Sequence, residues 1–573
     1  GAFYASCIDE AAIERAGLSP LQPAFDRIAQ LQSPRDFAPL VAALHHEGVA
    51  APFGFGSTQD ARQADQVVAG IAQAGLGLPD RDYYTKDDDR SKEIRARYVQ
   101  HIAKMLQLAG SSAADAAKSA ANIMALETSL AEAQMTNVEL RDPTSLYNKL
   151  TRAQLDALTP NFSWPSFLAP IGQDSLPSII VAQPKYLTRA NELIASTPAA
   201  TWRDYFRWHL LNNSASTLPK QFVETDFDFY GRFLEGKKEM LPRWERCANA
   251  TDTMMGEAVG QLWTDRYFPA ASKAAALQMV HNLIDALHSD IQTLDWMSPA
   301  TQQQAIAKLQ AYALKIGYPD KWRDYSALQV GNAPYATNVL AAQAFEFNRS
   351  IGKIGKPLDR TEWLMSPPTV NAYNNPPMNE IVFPAGILQP PFYSPTADDA
   401  YNYGGMGAVI GHEMTHGFDD EGRQYDLKGN LADWWTSADA EKFKQRAQCV
   451  IDQFSAYDAL NGQHMTGELV VGESIADLGG LAIAYAAYQK SQQGKTPQII
   501  DGFTPEQRFF LGWAQVWASN DTPEAARLQI TTDPHPLSRF RVNGPLSNLP
   551  QFAAAYGCKS GDPMVRATQC NIW

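Results

Sequence analysis

The stretch AVIGHEMTHGF, Ala408–Phe418, decides how the rest of the chain is read. It contains His412-Glu413-Met414-Thr415-His416, two histidines four positions apart with a glutamate after the first. On a helix, positions i and i+4 lie on one face, so both imidazoles can reach one metal ion. Glu413 sits one residue round from His412, where its carboxylate can meet a water at that metal. With 10 histidines in 573 residues, chance yields such a motif on the order of 0.01 times per chain. The alternative is two unrelated surface histidines on a charged helix. The flanks argue against it: they are apolar, and an unpaired glutamate among them is costly to bury. The stretch reads as a helix from about Tyr403 to Phe418 that bears a catalytic metal.

A catalytic zinc site usually has three protein ligands and an open position. A third histidine six residues after His416 is excluded, because that position is Gly422. Further on, VGESIADLGG supplies Glu473 and, one helical turn later, Asp477. Glu473 reads as the third ligand. Asp477 reads as the acceptor of a ligand imidazole's free N–H, which fixes the tautomer and raises its basicity. Two acids at i,i+4 repel each other, and Leu469, Val470, Val471, Ile475 and Leu478 around them are apolar. A cation beside the acids offsets that cost better than an ordinary amphipathic helix explains it. The predicted helix runs from about Leu469 to Tyr488. Asp419 and Asp420 are candidates for a partner of His416, although acids at helix ends are common. His464 reads as a loop or core residue. His45 and His46 are adjacent, so on a helix they face different directions.

Moving outward, 573 residues suggest two to four domains at roughly 150 residues each. The chain is 45% hydrophobic and 19% charged, an ordinary globular composition. Its net charge is -14 with no basic run, which disfavours nucleic acid or an anionic membrane as partner. No uninterrupted apolar run of about 18 residues suggests a bilayer span. The opening GAFYASCIDEAAIERAG lacks the basic and apolar regions of a signal peptide. Nothing resembles GxSxG, a Walker loop or GxGxxG after a strand. The five cysteines, Cys7, Cys247, Cys449, Cys558 and Cys570, are far apart with no CxxC. They fit buried thiols or long-range disulfides. Cys558 and Cys570 bracket the last segment, as in a terminus stapled in an oxidising compartment.

The first 330 or so residues read mostly as helices. IRARYVQHIAKMLQLAG, AADAAKSAANIMALETSLAEAQ and LQMVHNLIDALHSDIQTL carry apolar residues at three- and four-residue steps. SPATQQQAIAKLQAYAL opens with a Ser-Pro helix start. After about residue 360 the proline-rich SPPTVNAYNNPPMNEIVFPAGILQPPFYSP reads as short strands and loops. The final segment from about Thr531 reads as loop-rich. The expectation is a large helical domain, 1–335, followed by a smaller α+β domain, 336–573.

GHEMTHGFDD followed by GESIAD resembles the neprilysin and endothelin-converting-enzyme family of zinc metallopeptidases, whose second motif is usually GENIAD. LGLPDRDYY, RDPTSLYNKL, RWERCANA, KIGYPDKW, VNAYNNPPMNEIVFPAGILQPPF, YNYGG, WAQVW and the closing Cys-x-x-Trp resemble family landmarks in order. Ser474 stands where asparagine is usual, and Asn374 where an aromatic or small residue often sits. The resemblance implies a mainly α fold with a small α+β part. A large helical domain would cap a thermolysin-like catalytic domain and enclose a central cavity. It also implies one Zn2+ per chain on His412, His416 and Glu473, with Glu413 as general base and Asp477 behind the first ligand. His535 would stabilise the transition state and Arg541 would bind a substrate carbonyl. Asn371 and Ala372 would pair with the substrate backbone. Val409, Val516, Trp517, Ile387 and Phe392 would form an apolar pocket for the residue after the cut. The implied activity is endopeptidase cleavage of oligopeptides on the amino side of hydrophobic residues, by a monomer. A non-catalytic peptide-binding protein of this fold is the contrasting reading, and the presence of His412, Glu413, His416, Glu473 and Asp477 disfavours it.

The resemblance further implies disulfides Cys7–Cys247 and Cys449–Cys570 and an extracytoplasmic location: periplasmic, secreted or membrane-anchored. The Ala-rich, Cys-poor composition resembles bacterial members more than animal ones. In the family the partner of Cys558 lies upstream of the YxSC landmark. The expectation is therefore a native protein longer at its N-terminus, with Cys558 otherwise a free thiol.

Overall fold

The computed structural model describes residues 1–573. The protein is mainly helical with three small sheets and divides into two compact units. Unit 1 comprises Gly1–Asp60, Asp65–Met255 and Asp324–Leu358; unit 2 comprises Ala61–Ala64, Gly256–Arg323 and Asp359–Trp573.

In unit 1 the long helices fall where the apolar periodicity places them, at Asp89–Leu108 and Ala113–Ala131. Asp88 and Ser112 cap them, each accepting a backbone N–H of the first turn. The helical reading of this half missed a four-stranded sheet. It is built from β1 (Phe53–Gln59), β2 (Val67–Gln73), β3 (Lys149–Thr151) and β4 (Ser178–Val181) in the order β1-β2-β4-β3. Of its hairpin strands, VVAGIAQ alternates buried and half-buried positions through Ile71, and FGFGSTQ does so through Gly56. Their interleaved glycines and alanines hid the pattern. Unit 1 also holds a buried polar cluster among its helices. The fully buried Glu127 carboxylate accepts hydrogen bonds from Tyr84 and Tyr98 hydroxyls and pairs with His209 Nε2 at 2.9 Å. Cys7 and Cys247 form a disulfide packed with Phe3, Ile13 and Tyr335.

In unit 2, β5 (Ala313–Gly317), β6 (Tyr373–Asn375) and β7 (Glu380–Pro384) form a sheet of order β5-β7-β6. β5 pairs parallel to β7 and β6 antiparallel to it, so β6 is an edge strand. A helix starts at Ser298-Pro299 as expected but stops at Gln310, and the remaining Ala-Leu opens β5. Two strands, β8 (Asp458–Leu460) and β9 (Gln463–His464), form a short hairpin.

The segment expected to be loop-rich contains helices at Ser538–Leu546 and Pro550–Tyr556. Asn543, Gly544 and Pro545 make the first read as a turn. It forms because Phe540, Arg541 and Leu546 are buried and Gly544 sits directly against the Phe454 ring. Packing overrides local propensity there. Cys449 and Cys570 form the second disulfide, and Cys558 is a half-buried free thiol.

Two helices organise unit 2. Ala408–His416 enters through a one-turn π-helix, Tyr403–Gly407. Gly467–Ser491 is apolar on every side, because it is a core helix. By length and hydropathy it is long and apolar enough to cross a membrane, yet 83% of its most apolar window is buried in the protein. The two cross at Gly411 and Gly480. A Cβ on Gly480 would lie 2.4 Å from the His412 nitrogen, and one on Gly411 would lie 2.5 Å from the Gly480 carbonyl oxygen. No side chain fits at that crossing. One and two turns before Gly480, the same helix carries Asp477 and Glu473.

Candidate metal centre

The close crossing brings His412, His416, Glu473 and Asp477 together, and all belong to unit 2. His412 Nε2 and His416 Nε2 face each other at 2.9 Å. Glu473 Oε2 lies 3.3 Å from the first and Oε1 3.5 Å from the second. The other nitrogen of each ring is held by a carboxylate. His412 Nδ1 is 2.7 Å from Asp477 Oδ1, and His416 Nδ1 is 2.7 Å from Asp419 Oδ2. Ionised carboxylates only accept, so each Nδ1 carries a proton and each Nε2 is left to take a cation, a proton or a metal ion. Two lone pairs 2.9 Å apart repel unless a cation lies between them.

Zinc fits this donor set. Ligands at 2.0–2.1 Å in a tetrahedron stand about 3.3 Å apart, close to the separations here. Three donors leave a fourth position open, as in catalytic rather than structural sites. The electrostatics agree. Burial alone would lower His416, but Glu473 and Asp419 outweigh it and raise it to about 10. Burial would raise Glu473, yet His416, His412 and His535 hold it well below the usual carboxylate range. The pocket favours positive charge at the imidazole edges.

Glu413 is buried, at 6% exposure, and its carboxylate makes no hydrogen bond to the protein. Burial raises its pKa. Its backbone carbonyl accepts from Asn374 Nδ2 at 2.8 Å, so a side chain of edge strand β6 holds the helix at this residue. His535 is half exposed, with Nε2 3.3 Å from Glu473 Oε2 and Nδ1 2.7 Å from Asp533 Oδ1. Arg541 sits on the Ser538–Leu546 helix, not on a loop. Its Nε and Nη2 grip the two Asp477 oxygens at 2.8 and 2.7 Å, and its guanidinium lies 3.9 Å over the Trp517 ring.

Asn371 and Ala372 immediately precede β6 at the sheet edge; Asn371 is exposed and Ala372 buried. Val409 stands one turn before Glu413 on its helix. With Ile387 it belongs to the main apolar cluster of unit 2, and Phe392, Val516 and Trp517 pack against that cluster. Other candidates fall outside the site. His464 is exposed on β9, with Nδ1 3.0 Å from the Ser455 carbonyl. His45 is buried in unit 1 against the Phe53 carbonyl.

The sequence reading missed several supports. The carbonyls at a helix C-terminus lack intrahelical partners. Here side chains supply them: Tyr312 donates to Met414 O at 2.9 Å, and Asn374 to Glu413 O. Lys308, 1% exposed, donates to the carbonyls of Gly417, Gly422 and Tyr425, each at 2.7 Å. Burial pushes Lys308 down to about 7 against the pull of Asp419 and Asp426. Three acceptors, one for each ammonium proton, hold the charged form. Asp419 had a local signal, a carboxylate three residues after the second histidine. Lys308 and Tyr312 had none.

The chain matches the N-terminal part of peptidase family M13 over residues 1–319 and the family's catalytic part over 371–572. It is 35% identical to endothelin-converting enzyme 1 of Rattus norvegicus, over 100% of this chain and 77% of that protein. An inhibitor complex of the Mycobacterium tuberculosis zinc metalloprotease Zmp1 superposes with a TM-score of 0.96 at 41% identity, over 100% of this chain and 88% of that one. PepO from Lactobacillus rhamnosis gives 0.90 at 28% identity, over 98% and 88%. Matches of this extent, over both parts of the chain, make it a member of peptidase family M13, the zinc metalloendopeptidases.

Proposed function

We propose that this endopeptidase cuts oligopeptides on the amino side of bulky apolar residues, with zinc held by His412, His416 and Glu473 and with Glu413 as general base. One observation carries the reading: two Nε2 atoms face each other with both Nδ1 atoms tied to carboxylates, beside a buried carboxylate that has no protein partner.

Zinc supplies a Lewis acid that makes water nucleophilic near neutral pH. Glu413 takes the proton of the attacking water and delivers it to the leaving nitrogen. Its raised pKa moves it toward the working range of a general base. His535, as the imidazolium with its Nδ1–H on Asp533, donates its Nε2–H to the developing oxyanion, and Asp533 holds the ring in place for this. Asp477 fixes the His412 ring and is itself fixed by Arg541, whose remaining donors face a substrate carbonyl. The free edge beside β6 accepts the substrate as an added strand, with Ala372 supplying backbone pairing and Asn371 a side-chain amide. Val409, Ile387, Phe392, Val516 and Trp517 receive the apolar residue after the cut. The two disulfides support an extracytoplasmic location.

The test is a peptide-library digest with and without a chelator, its products read by mass spectrometry. Chelator-sensitive cleavage before Phe, Leu or Ile is expected; cleavage mainly before Asp or Lys removes the apolar pocket. In the same assay His535→Ala lowers kcat by roughly 100-fold or more and changes KM little, because the charge it meets exists mainly in the transition state. A pure KM effect moves His535 from the chemistry to binding.

A further inference from the structure

Lys308 lies on the Pro299–Gln310 helix, far in sequence from the metal centre, yet all its donors serve one turn. Gly417, Gly422 and Tyr425, whose carbonyls it holds, bracket Asp419. Asp419 uses one oxygen to accept the backbone N–H groups of Glu421 and Gly422, at 2.9 and 2.7 Å. Its other oxygen accepts His416 Nδ1–H. The carboxylate is thus aimed by a turn whose shape depends on the ammonium, and Lys308 also attracts it directly. A buried ion in a core is a weak source of stability, since desolvation consumes most of the gain. A neutral donor would suffice to close a turn. A full charge placed behind the carboxylate that orients a ligand histidine suits a different task.

We propose that Lys308 is a positioning residue of the metal centre. It sets Asp419 through the Gly417–Tyr425 turn, and through Asp419 the orientation and basicity of His416. The inference rests on His416 being a zinc ligand. Partners behind metal ligands typically matter by 10–100-fold in affinity.

The experiment measures zinc affinity by competition with a chromogenic chelator on the full chain. It compares wild type, His416→Ala, Lys308→Met, Asp419→Asn and the Lys308→Met/Asp419→Asn double variant, with near-UV circular dichroism reporting native packing. Each of the two single changes behind His416 should weaken zinc 10–100-fold, and the double variant should be no weaker than the worse single one. Lys308→Arg, which keeps charge and donors, should recover part of the loss. Native-packed Lys308→Met with zinc affinity within about twofold of wild type overturns the proposal. So do losses that multiply in the double variant. If Lys308→Met does not fold, Lys308→Gln is read in its place, and failure of both to fold assigns Lys308 to the fold and overturns the proposal too. Unchanged zinc affinity in His416→Ala sinks the ligand assignment instead, which separates the two failures.

Discussion

His45 and His101 in unit 1 are 4% and 5% exposed, and His412 in unit 2 is 6% exposed. Burial is the same, but the rings respond in opposite directions. Burial pushes His45 down to about 4 and His101 to about 3, with only the Phe53 and Thr225 backbones to oppose it. His101 stacks on Phe229 and meets Trp208 edge-on. Desolvation also opposes charge on His412 and His416, yet both are raised, because Asp477, Asp419 and Glu473 surround them. The comparison separates two uses of a buried histidine. Among aromatic rings it is a neutral core residue. With each Nδ1 on a carboxylate and the Nε2 atoms converging, it is half of the proposed cation site.

The largest effect that sharpens this contrast is catalytic. Glu413→Gln keeps the shape of the residue and removes only proton transfer. We expect kcat to fall by roughly 10²–10⁴-fold, with zinc content and near-UV circular dichroism unchanged. Turnover near the wild-type rate means that another group carries the proton. Next comes the metal itself. Glu473→Ala removes the carboxylate that lies beside both Nε2 atoms, the proposed third ligand, so zinc affinity should fall by more than the roughly 10–100-fold typical of an outer partner. Chelator competition measures this, and a variant that binds zinc as tightly as wild type removes Glu473 from the ligand set.

The same contrast explains what the sequence disclosed. The candidate metal site was legible because its proposed ligands, with the partner of the first, come in two short runs, 412–416 and 473–477, each with helical spacing among apolar neighbours. The local helix pattern predicted both helices within a few residues. Glycine made the crossing possible, but nothing in GHEM or DLGG says that Gly411 meets Gly480. Lys308 and Tyr312 were invisible for a stricter reason. Their partners are main-chain carbonyls more than a hundred residues away, and a carbonyl has no sequence signature. The hairpin of β1 and β2 was missed because its glycines weaken a period-two signal, and the Ser538–Leu546 helix because Gly544 and Pro545 mimic a turn. In each case tertiary packing decided what local propensity did not.

A smaller effect concerns stability in acid. In the folded protein His45 and His101 resist protonation until about pH 4 and pH 3, whereas unfolded histidine protonates near 6.5. Between those limits the unfolded chain binds more protons, so stability rises with pH and is lost as pH falls through the window. At pH 5 each ring costs about 2 kcal/mol relative to pH 8. His101→Phe, which preserves the stack on Phe229, should flatten the dependence of the thermal midpoint on pH below 6.5. A slope identical to that of wild type means that His101 is already charged in the folded protein.

The smallest effect tests what a carboxylate partner alone achieves. His209 is buried in unit 1 with Nε2 2.9 Å from Glu127 Oε1, so by one criterion it resembles His412. Two features differ. No second imidazole converges on it, and the Glu127 oxygens are also occupied by the Tyr84 and Tyr98 hydroxyls. Such a cluster is satisfied by hydrogen bonds and leaves no pair of facing lone pairs for a cation to bridge. His209→Gln retains a donor toward Glu127. It should cost about 1 kcal/mol, the scale of one buried hydrogen bond, and leave zinc stoichiometry and kcat unchanged. Zinc content is read by elemental analysis and stability by denaturant midpoint. A loss of zinc on this substitution would mean that a histidine–carboxylate pair suffices to bind the ion, and the distinction drawn between the two units would fail.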